Sequence, residues 1–258
     1  METFIKKKPF VDVILPNYNK AEFLEEAINS VISQNYKNWE LLIIDDFSND
    51  ASSKIILKYK NEKNIKIIFL KRNKGVAFCR NLGVRLSNSK YIAFIDSDDY
   101  WTQDKLTEQI TFMEKFNYIF TYTNYTPFTF KKNLKKFKKK ILPPNSFNFK
   151  EFIHNTSIGM SSVIIKRSVI RNIIFKKLKI CEDYLFKCEI LKNNVVARKF
   201  NQNTMFYRIT KNSLQSSKLR NLYWIWYINR KYNKLTIFNN LKSILFITIS
   251  SIKRYGIK

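Results

Sequence analysis

The sequence predicts an α/β fold: a mostly parallel sheet flanked by helices. Three observations carry that expectation. Short apolar runs alternate with segments of helical periodicity through the first hundred residues, the pattern of successive βαβ units. Runs such as ELLIID (40–45) and YIAFI (91–95) are almost continuously apolar, as strands covered on both faces require. The chain has 258 residues, 45% of them hydrophobic and 16% aromatic, which supplies a sizeable core and excludes a disordered polymer.

The elements follow in order. Residues 11–15 (VDVIL) read as the first strand. Asn19 stands three residues before Glu22, the spacing of a capping box, and Leu24, Ala27, Ile28, Val31 and Ile32 recur at helical intervals. Residues 40–45 form the second strand. A helix is expected from Ala51, capped by Ser48 or Asn49, with Ile55, Ile56 and Tyr59 on one face. Residues 65–70 make a third strand, Asn73, Lys74 and Gly75 a turn, 76–86 a third helix and 91–95 a fourth strand.

Beyond residue 100 the periodicity weakens. Helices are expected at 103–116 and 182–191, and strands at 118–122, 160–165 and 195–200. Residues 131–140 (KKNLKKFKKK) read as an exposed basic segment, and Pro143 with Pro144 as a break. The last 40 or so residues read as one or two amphipathic helices rich in Lys, Arg and aromatics. There is no internal repeat.

The formal net charge is +27, a field that attracts anions: nucleic acid, acidic lipid or phosphorylated small molecules. An AT-rich coding sequence gives the same lysine excess, so charge alone assigns no partner. The three cysteines, Cys79, Cys181 and Cys188, have no useful spacing, and His154 is the only histidine, which argues for reduced thiols and against a zinc site. Lys6, Lys7 and Lys8 precede the first strand where a secretory leader would be apolar. The best membrane-spanning candidate, 244–252, is about half the ~20 residues needed.

In open α/β sheets, ligands sit beyond the carboxyl ends of the strands. Pro16, Asn17, Tyr18 and Asn19 follow the first strand, Asp45 and Asp46 close the second, and Asp96, Ser97, Asp98 and Asp99 follow the fourth. Of nine aspartates, six fall within 45–50 and 96–99, in a chain with 47 basic residues. Carboxylates so crowded raise one another's pKa unless a cation lies between them, and a divalent metal is the simplest. A capping role for Asp45 and Asp46 is the alternative. With four glycines, and neither a GxGxxG nor a Walker loop, no glycine-rich backbone cradles phosphate. A diphosphate would need a metal and basic side chains instead.

These residues resemble a family 2 glycosyltransferase of the GT-A fold. The resemblance is carried by VDVILPNYNKAEFLEEAINSVISQNYKNWELLIIDDFSND and NKGVAFCRNLGVRLSNSKYIAFIDSDDYW, with weaker echoes in CEDYLF (181–186) and FYRIT (206–210). It implies a nucleotide-sugar-binding half over 1–123, an acceptor-binding half over 124–215 and basic, aromatic C-terminal helices over 216–258. It implies that Asp96 and Asp98 form a D-x-D site for Mn2+ or Mg2+ and the donor diphosphate, Asp98 nearest the metal. Tyr18 would lie against the nucleobase and Asp46 would hydrogen-bond it. Pro16 and Asn17 would shape that pocket through their backbone, where several relatives carry Pro-Thr or Thr-Ser. Ser97, Arg80 and Asn81 would face the donor, Asp183 would be the catalytic base, and Glu182 and Arg208 would hold the acceptor.

The implied reaction moves a sugar, with inversion, from a nucleotide-sugar onto a glycan or lipid-linked acceptor in cell-surface polysaccharide or lipopolysaccharide synthesis. A UDP-sugar is the first donor to consider, then dTDP- and GDP-sugars. The implied location is cytoplasmic, with peripheral attachment to an anionic membrane at its inner face through the C-terminal helices. Packing of their aromatics on the domain is the alternative. Other readings are a basic nucleic-acid-binding protein, which the acid clusters oppose, a catalytically inactive binding subunit of the same family, and a sugar-nucleotide pyrophosphorylase, whose glycine-rich loop is missing. No nucleic-acid partner is expected.

Overall fold

The computed structural model describes residues 10–131, 134–210 and 217–255. Lys6, Lys7 and Lys8 lie outside the described residues, as do two positions of the basic segment, 132 and 133.

The first half alternates as expected: β1 (Val11–Asn17), α1 (Ala21–Ile32), β2 (Trp39–Asp45), α2 (Ser52–Leu57), β3 (Ile65–Phe69), α3 (Val76–Leu86) and β4 (Tyr91–Phe94). These strands lie parallel in the order β3-β2-β1-β4. The carboxyl ends of β1, β2 and β4 therefore open on one edge. Alternate residues of each strand feed the two faces. Ile14, Ile44, Ile92 and Phe94 face one core, while Val13, Leu15, Leu41, Ile43 and Ala93 face the other.

Two expected helix caps are corrected. The helix α1 starts after Lys20 with no side-chain cap, because Asn19 takes φ 50° and its side chain instead accepts the Asn49 N–H at 2.9 Å. Asp50 accepts the Ala21 N–H at 2.9 Å. The helix α2 starts after Ala51, and the Ser48 hydroxyl is spent on Asp45. The loops after β1 and β2 are thus stitched to each other, and these tertiary partners displace the local caps.

The second half extends the same sheet. It comprises β5 (Tyr100–Trp101), α4 (Lys105–Phe116), β6 (Phe120–Lys131), β7 (Leu134–Phe137), β8 (Ser146–Phe147), α5 (Phe149–Phe152), a 3-10 turn (Met160–Ser162), β9 (Ile164–Lys166), α6 (Arg167–Ile170), α7 (Glu182–Lys192) and β10 (Ala197–Arg208). The sheet continues from β4 through β9, β6 and β10 to β5, with β9 antiparallel to both neighbours and β6 parallel to β10.

Three expectations change here. Residues 160–165 split into the 3-10 turn and a short strand. The strands at 118–122 and 195–200 each run on to 12 residues. Part of the basic segment is a strand, β7, paired antiparallel to β6. The long pairing was hidden because β6 is rich in Thr and Asn. Those polar side chains are satisfied across the ladder: Thr204 donates to Thr123, Thr126 to Asn203 and Asn124 to Asn201, at 3.0–3.1 Å.

Two helices close the described chain, α8 (Lys218–Lys231) and α9 (Ile237–Tyr255). Ile225, Ile228 and Ile247 join the core on the α7 side. Among the described residues no helix is long and apolar enough to cross a membrane. The three cysteines are free and buried, and burial pushes the Cys79 thiol up to about 12. His154 is a packing residue whose ring lies 5.5 Å from that of Phe246.

Candidate active site

The chain leaves β4 at Phe94, and the next residues reach the open edge of the sheet. Asp96, Ser97, Asp98 and Asp99 there line a cleft of about 680 Å³. Asp99 is fully buried and serves as a clamp. Its carboxylate accepts from Ser161 Oγ at 2.6 Å and from the Arg208 backbone N–H at 3.0 Å, tying the loop to the 3-10 turn and to the end of β10. Ser161 Oγ in turn accepts the Asp96 N–H at 3.0 Å. Burial, followed by the charges of Asp98 and Asp96, holds the Asp99 carboxyl well above the usual range. With Asp99 turned inward, Asp96 and Asp98 are left on the cleft side, their side chains 33% and 19% exposed.

Both already meet cations. Lys20 Nζ lies 2.7 Å from Asp98 Oδ2, and Arg80 Nη2 lies 2.7 Å from Asp96 Oδ1. Burial raises the Asp98 pKa above its ordinary value, with Lys20 pulling against it. Arg80, itself buried, donates through Nη1 to Glu182 at 2.7 Å, although 102 residues separate the two in sequence. Its Nε is buried without a partner. The guanidinium therefore bridges the acids after β4 to those that open α7.

The α7 end has its own local cause. Cys181, just before the helix, takes φ 62°, a left-handed conformation that costs a non-glycine residue about 1 kcal/mol or more. That turn presents Glu182 and Asp183 in the first helical turn, where the helix dipole favours negative charge. Asp183 Oδ2 lies 2.8 Å from Lys187 Nζ one turn later, and that buried ammonium also donates to the Ile158 carbonyl at 2.8 Å. Burial alone would raise the Asp183 pKa, but Lys187 and then Arg80 outweigh it, and the carboxyl lies below its ordinary value. Glu182 goes the other way, because burial exceeds the pull of Arg80.

The remaining wall comes from β1 and the turn before α3. Tyr18 is 46% exposed beside Pro16 and Asn17 on the rim. The Asn17 carbonyl accepts the Asp46 N–H at 2.8 Å. Asp46 accepts the N–H groups of Lys74 and Gly75, each at 2.7 Å. Gly75 has φ 89° and ψ 157°, a region open almost only to glycine, which explains the glycine of NKG.

Eleven of the twelve residues singled out from the sequence thus line one cleft: Pro16, Asn17, Tyr18, Asp46, Arg80, Asp96, Ser97, Asp98, Glu182, Asp183 and Arg208. Asn81 does not. Its amide both donates to and accepts from the Phe175 backbone at 2.8 Å, a structural tie away from the cleft lining. Arg208 is buried, donating to the Asp98 carbonyl at 2.8 Å and to Glu26, with the ring of Phe23 4.3 Å away. Lys20, Ser161 and Lys187 went unnoticed in the sequence. Lys187 alone left a signal, four residues after Asp183 on one helix face.

A divalent metal fits this chemistry. Asp96 and Asp98 offer hard oxygen ligands from one loop, and Asp98 already holds a stand-in cation in the Lys20 ammonium. Among the described residues no set of three or more His, Cys, Asp or Glu converges as a metal cage. A metal here would draw most of its ligands from water and phosphate, as Mg2+ and Mn2+ do beside a diphosphate.

Residues 12–178 match the model of Glycosyl transferase family 2. The chain is 31% identical over 229 residues to the putative teichuronic acid biosynthesis glycosyltransferase TuaG of Bacillus subtilis (strain 168), covering 88% of this chain and 90% of that protein. It is 33% identical over 217 residues to the Escherichia coli UDP-Glc:alpha-D-GlcNAc-diphosphoundecaprenol beta-1,3-glucosyltransferase WfgD, covering 84% and 83%. Among solved structures, S. aureus TarS 1-349 in complex with UDP-GlcNAc superposes with a TM-score of 0.69 at 18% identity, over 95% of this chain and 73% of that one. The mannosyltransferase PcManGT from Pyrobaculum calidifontis, in complex with GDP-Man and Mn2+, gives 0.69 at 14% identity, over 97% and 72%. These two likenesses establish the GT-A type of fold.

Proposed function

This chain belongs to glycosyl transferase family 2, and on that premise we propose that it transfers a sugar from a nucleotide-diphosphate sugar to a glycan or lipid-linked acceptor, with inversion at the anomeric carbon. The observation that carries this reading is the Arg80 bridge, which joins the D-S-D loop to the Glu182–Asp183 pair across one cleft. The bridge brings the acids proposed to bind the donor close to the pair that holds the proposed base, on the lining of one cleft. The lipid-linked acceptor of WfgD supports an acceptor of that kind, and the teichuronic acid biosynthesis of TuaG supports a role in surface polysaccharide or lipopolysaccharide synthesis. The nucleotides held by TarS and PcManGT support a UDP-sugar first and a GDP-sugar second. The reaction is proposed to run on the cytoplasmic side, at the inner face of the membrane.

In this mechanism Tyr18 stacks on the nucleobase, and Asp46 positions it with the lone pairs left by its two backbone bonds. Asp96 and Asp98 would hold the metal, in the place where the Lys20 ammonium now faces Asp98. When bound, Mn2+ or Mg2+ supplies neutralisation of the charge that grows on the leaving diphosphate. Arg80 adds positive charge from the protein side. Asp183 takes the proton from an acceptor hydroxyl as that oxygen bonds to the anomeric carbon and the bond from that carbon to the diphosphate breaks. The lowered pKa of Asp183 keeps the carboxylate ionised at neutral pH, and its pairing with Lys187 fixes its rotamer. Glu182 orients Arg80 and borders the acceptor side.

A thermal-shift screen of nucleotide-sugars, each with and without Mn2+, tests the reading. Wild type should gain stability from one nucleotide class, and only with metal. Asp98→Asn should lose that gain. Asp183→Asn should keep it while transfer falls about 10²–10⁴-fold, the usual worth of a general base. Transfer by Asp183→Asn at the wild-type rate removes the base assignment, and an unchanged metal response in Asp98→Asn removes the metal site.

A further inference from the structure

The helix α9 leaves a long apolar stripe in solvent although Ile244 and Ile247 already anchor it to the core. Its outward stripe is Phe238, Leu241, Leu245, Ile249 and Ile252, between 41% and 77% exposed and spaced along one helical face. Its inward face carries fully buried Asn240 and Ser243 beside Ile247. A helix that only packs on its domain turns most of its large apolar residues inward and leaves no such stripe outside.

The inward polar residues explain the rotation. Tyr184 donates to Asn229 at 2.8 Å, Asn229 donates to Ser243 at 3.0 Å, and Ser243 donates to the Ile153 carbonyl. Asn240 donates to the Trp226 carbonyl at 3.1 Å. Turning the apolar stripe inward would break this buried chain of bonds and strand its polar atoms, so the helix is held with the stripe toward solvent.

Charge selects the occupant. Glu189 is the last acidic residue of the sequence, and residues 190–258 contain only basic charges. Exposed Lys242 and Lys253 flank the stripe on one side, a quarter-turn or less from it. A second copy docked through the same stripe would oppose these lysines with their own kind. The stripe spans about 21 Å at 1.5 Å per residue, too little apolar length to cross a bilayer and enough to lie in its surface.

We propose that the outward face of α9 is a monotopic docking surface for anionic phospholipid, with the apolar stripe sunk among the acyl chains and Lys242 and Lys253 at the headgroups. This deepens the proposed location at the membrane and rests on that reading, while being independent of the transfer chemistry.

The test uses the full chain and vesicles of phosphatidylcholine with or without phosphatidylglycerol. Wild type should co-sediment with the phosphatidylglycerol vesicles. The triple variant Leu241→Gln, Leu245→Gln, Ile249→Gln should lose about tenfold or more in binding and keep its Mn2+-dependent stabilisation by UDP. Lys242→Glu with Lys253→Glu changes only exposed positions and should abolish the preference for phosphatidylglycerol. Wild type that ignores both vesicles, or variants that sediment as wild type does, overturn the proposal. A dimer in ultracentrifugation that the triple variant converts to monomer, without vesicle binding, reassigns the stripe to self-association. Vesicle docking with no UDP and Mn2+ response would leave this surface standing and sink the donor-site reading instead.

Discussion

Lys187 illustrates how one side chain sets the chemistry of another. Burial would push the Asp183 carboxyl up, but the Lys187 ammonium at 2.8 Å and the more distant Arg80 bring it below its ordinary value. A lowered carboxyl is ionised, and active as a base, above its folded pKa, and loses that activity as pH falls through it. Replacing Lys187 by methionine leaves burial opposed only by Arg80 and the Tyr184 backbone N–H, so the pKa of Asp183 rises. The acidic limb of the kcat/KM profile should move to higher pH in Lys187→Met. A limb that stays in place would show that another group controls it. The same residue-scale logic separates Asp99 from its neighbours, because Ser161 and the Arg208 backbone take both of its oxygens, whereas Asp96 and Asp98 meet side-chain cations in the cleft.

At the scale of elements, the closeness of α3 to β1 places Arg80. Gly83 sits one turn after Arg80, and a Cβ added there would lie 2.6–2.9 Å from three atoms of Ile14. Ile14 is fully buried in the middle of β1, so it has nowhere to retreat. Gly83→Ala should therefore cost about 1–3 kcal/mol in urea unfolding, the usual penalty of overpacking. It should also weaken UDP binding with Mn2+, because lifting α3 off the sheet moves the Arg80 bridge. Unchanged stability would mean the helix shifts freely, and the close approach would then carry no weight. The helical spacing of α3 was legible in VAFCRNLGVRL, whereas the need for glycine at 83 was not, since Ile14 stands 69 positions earlier in the chain.

At the scale of the whole molecule, a net charge of +27 would draw the proposed polyanionic donor toward the molecule. Raising ionic strength from about 0.05 M to about 0.5 M shortens the screening length severalfold. The association rate of UDP with Mn2+ should fall steeply with salt, and the dissociation rate should change little. Stopped-flow binding at several salt concentrations checks this, and a salt-independent association rate would show that the global field does not steer the ligand.

The alternation of strand and helix through residue 95 was fully legible, because buried parallel strands and amphipathic helices stamp their periods directly on the chain. So were the acids at the strand ends, since a run such as D-S-D-D after an apolar strand is a local pattern. The sequence could not say that Asn81 would be spent on the Phe175 backbone, that Lys20 would sit on Asp98, or that polar β6 would be a central strand. Nor could it say which face α9 turns outward, because a helical wheel displays the stripe and not its neighbours. Periodicity and motif are properties of adjacent residues and survive in one dimension. Pairing, burial and orientation depend on partners tens of residues away, and only the folded chain brings those partners into contact.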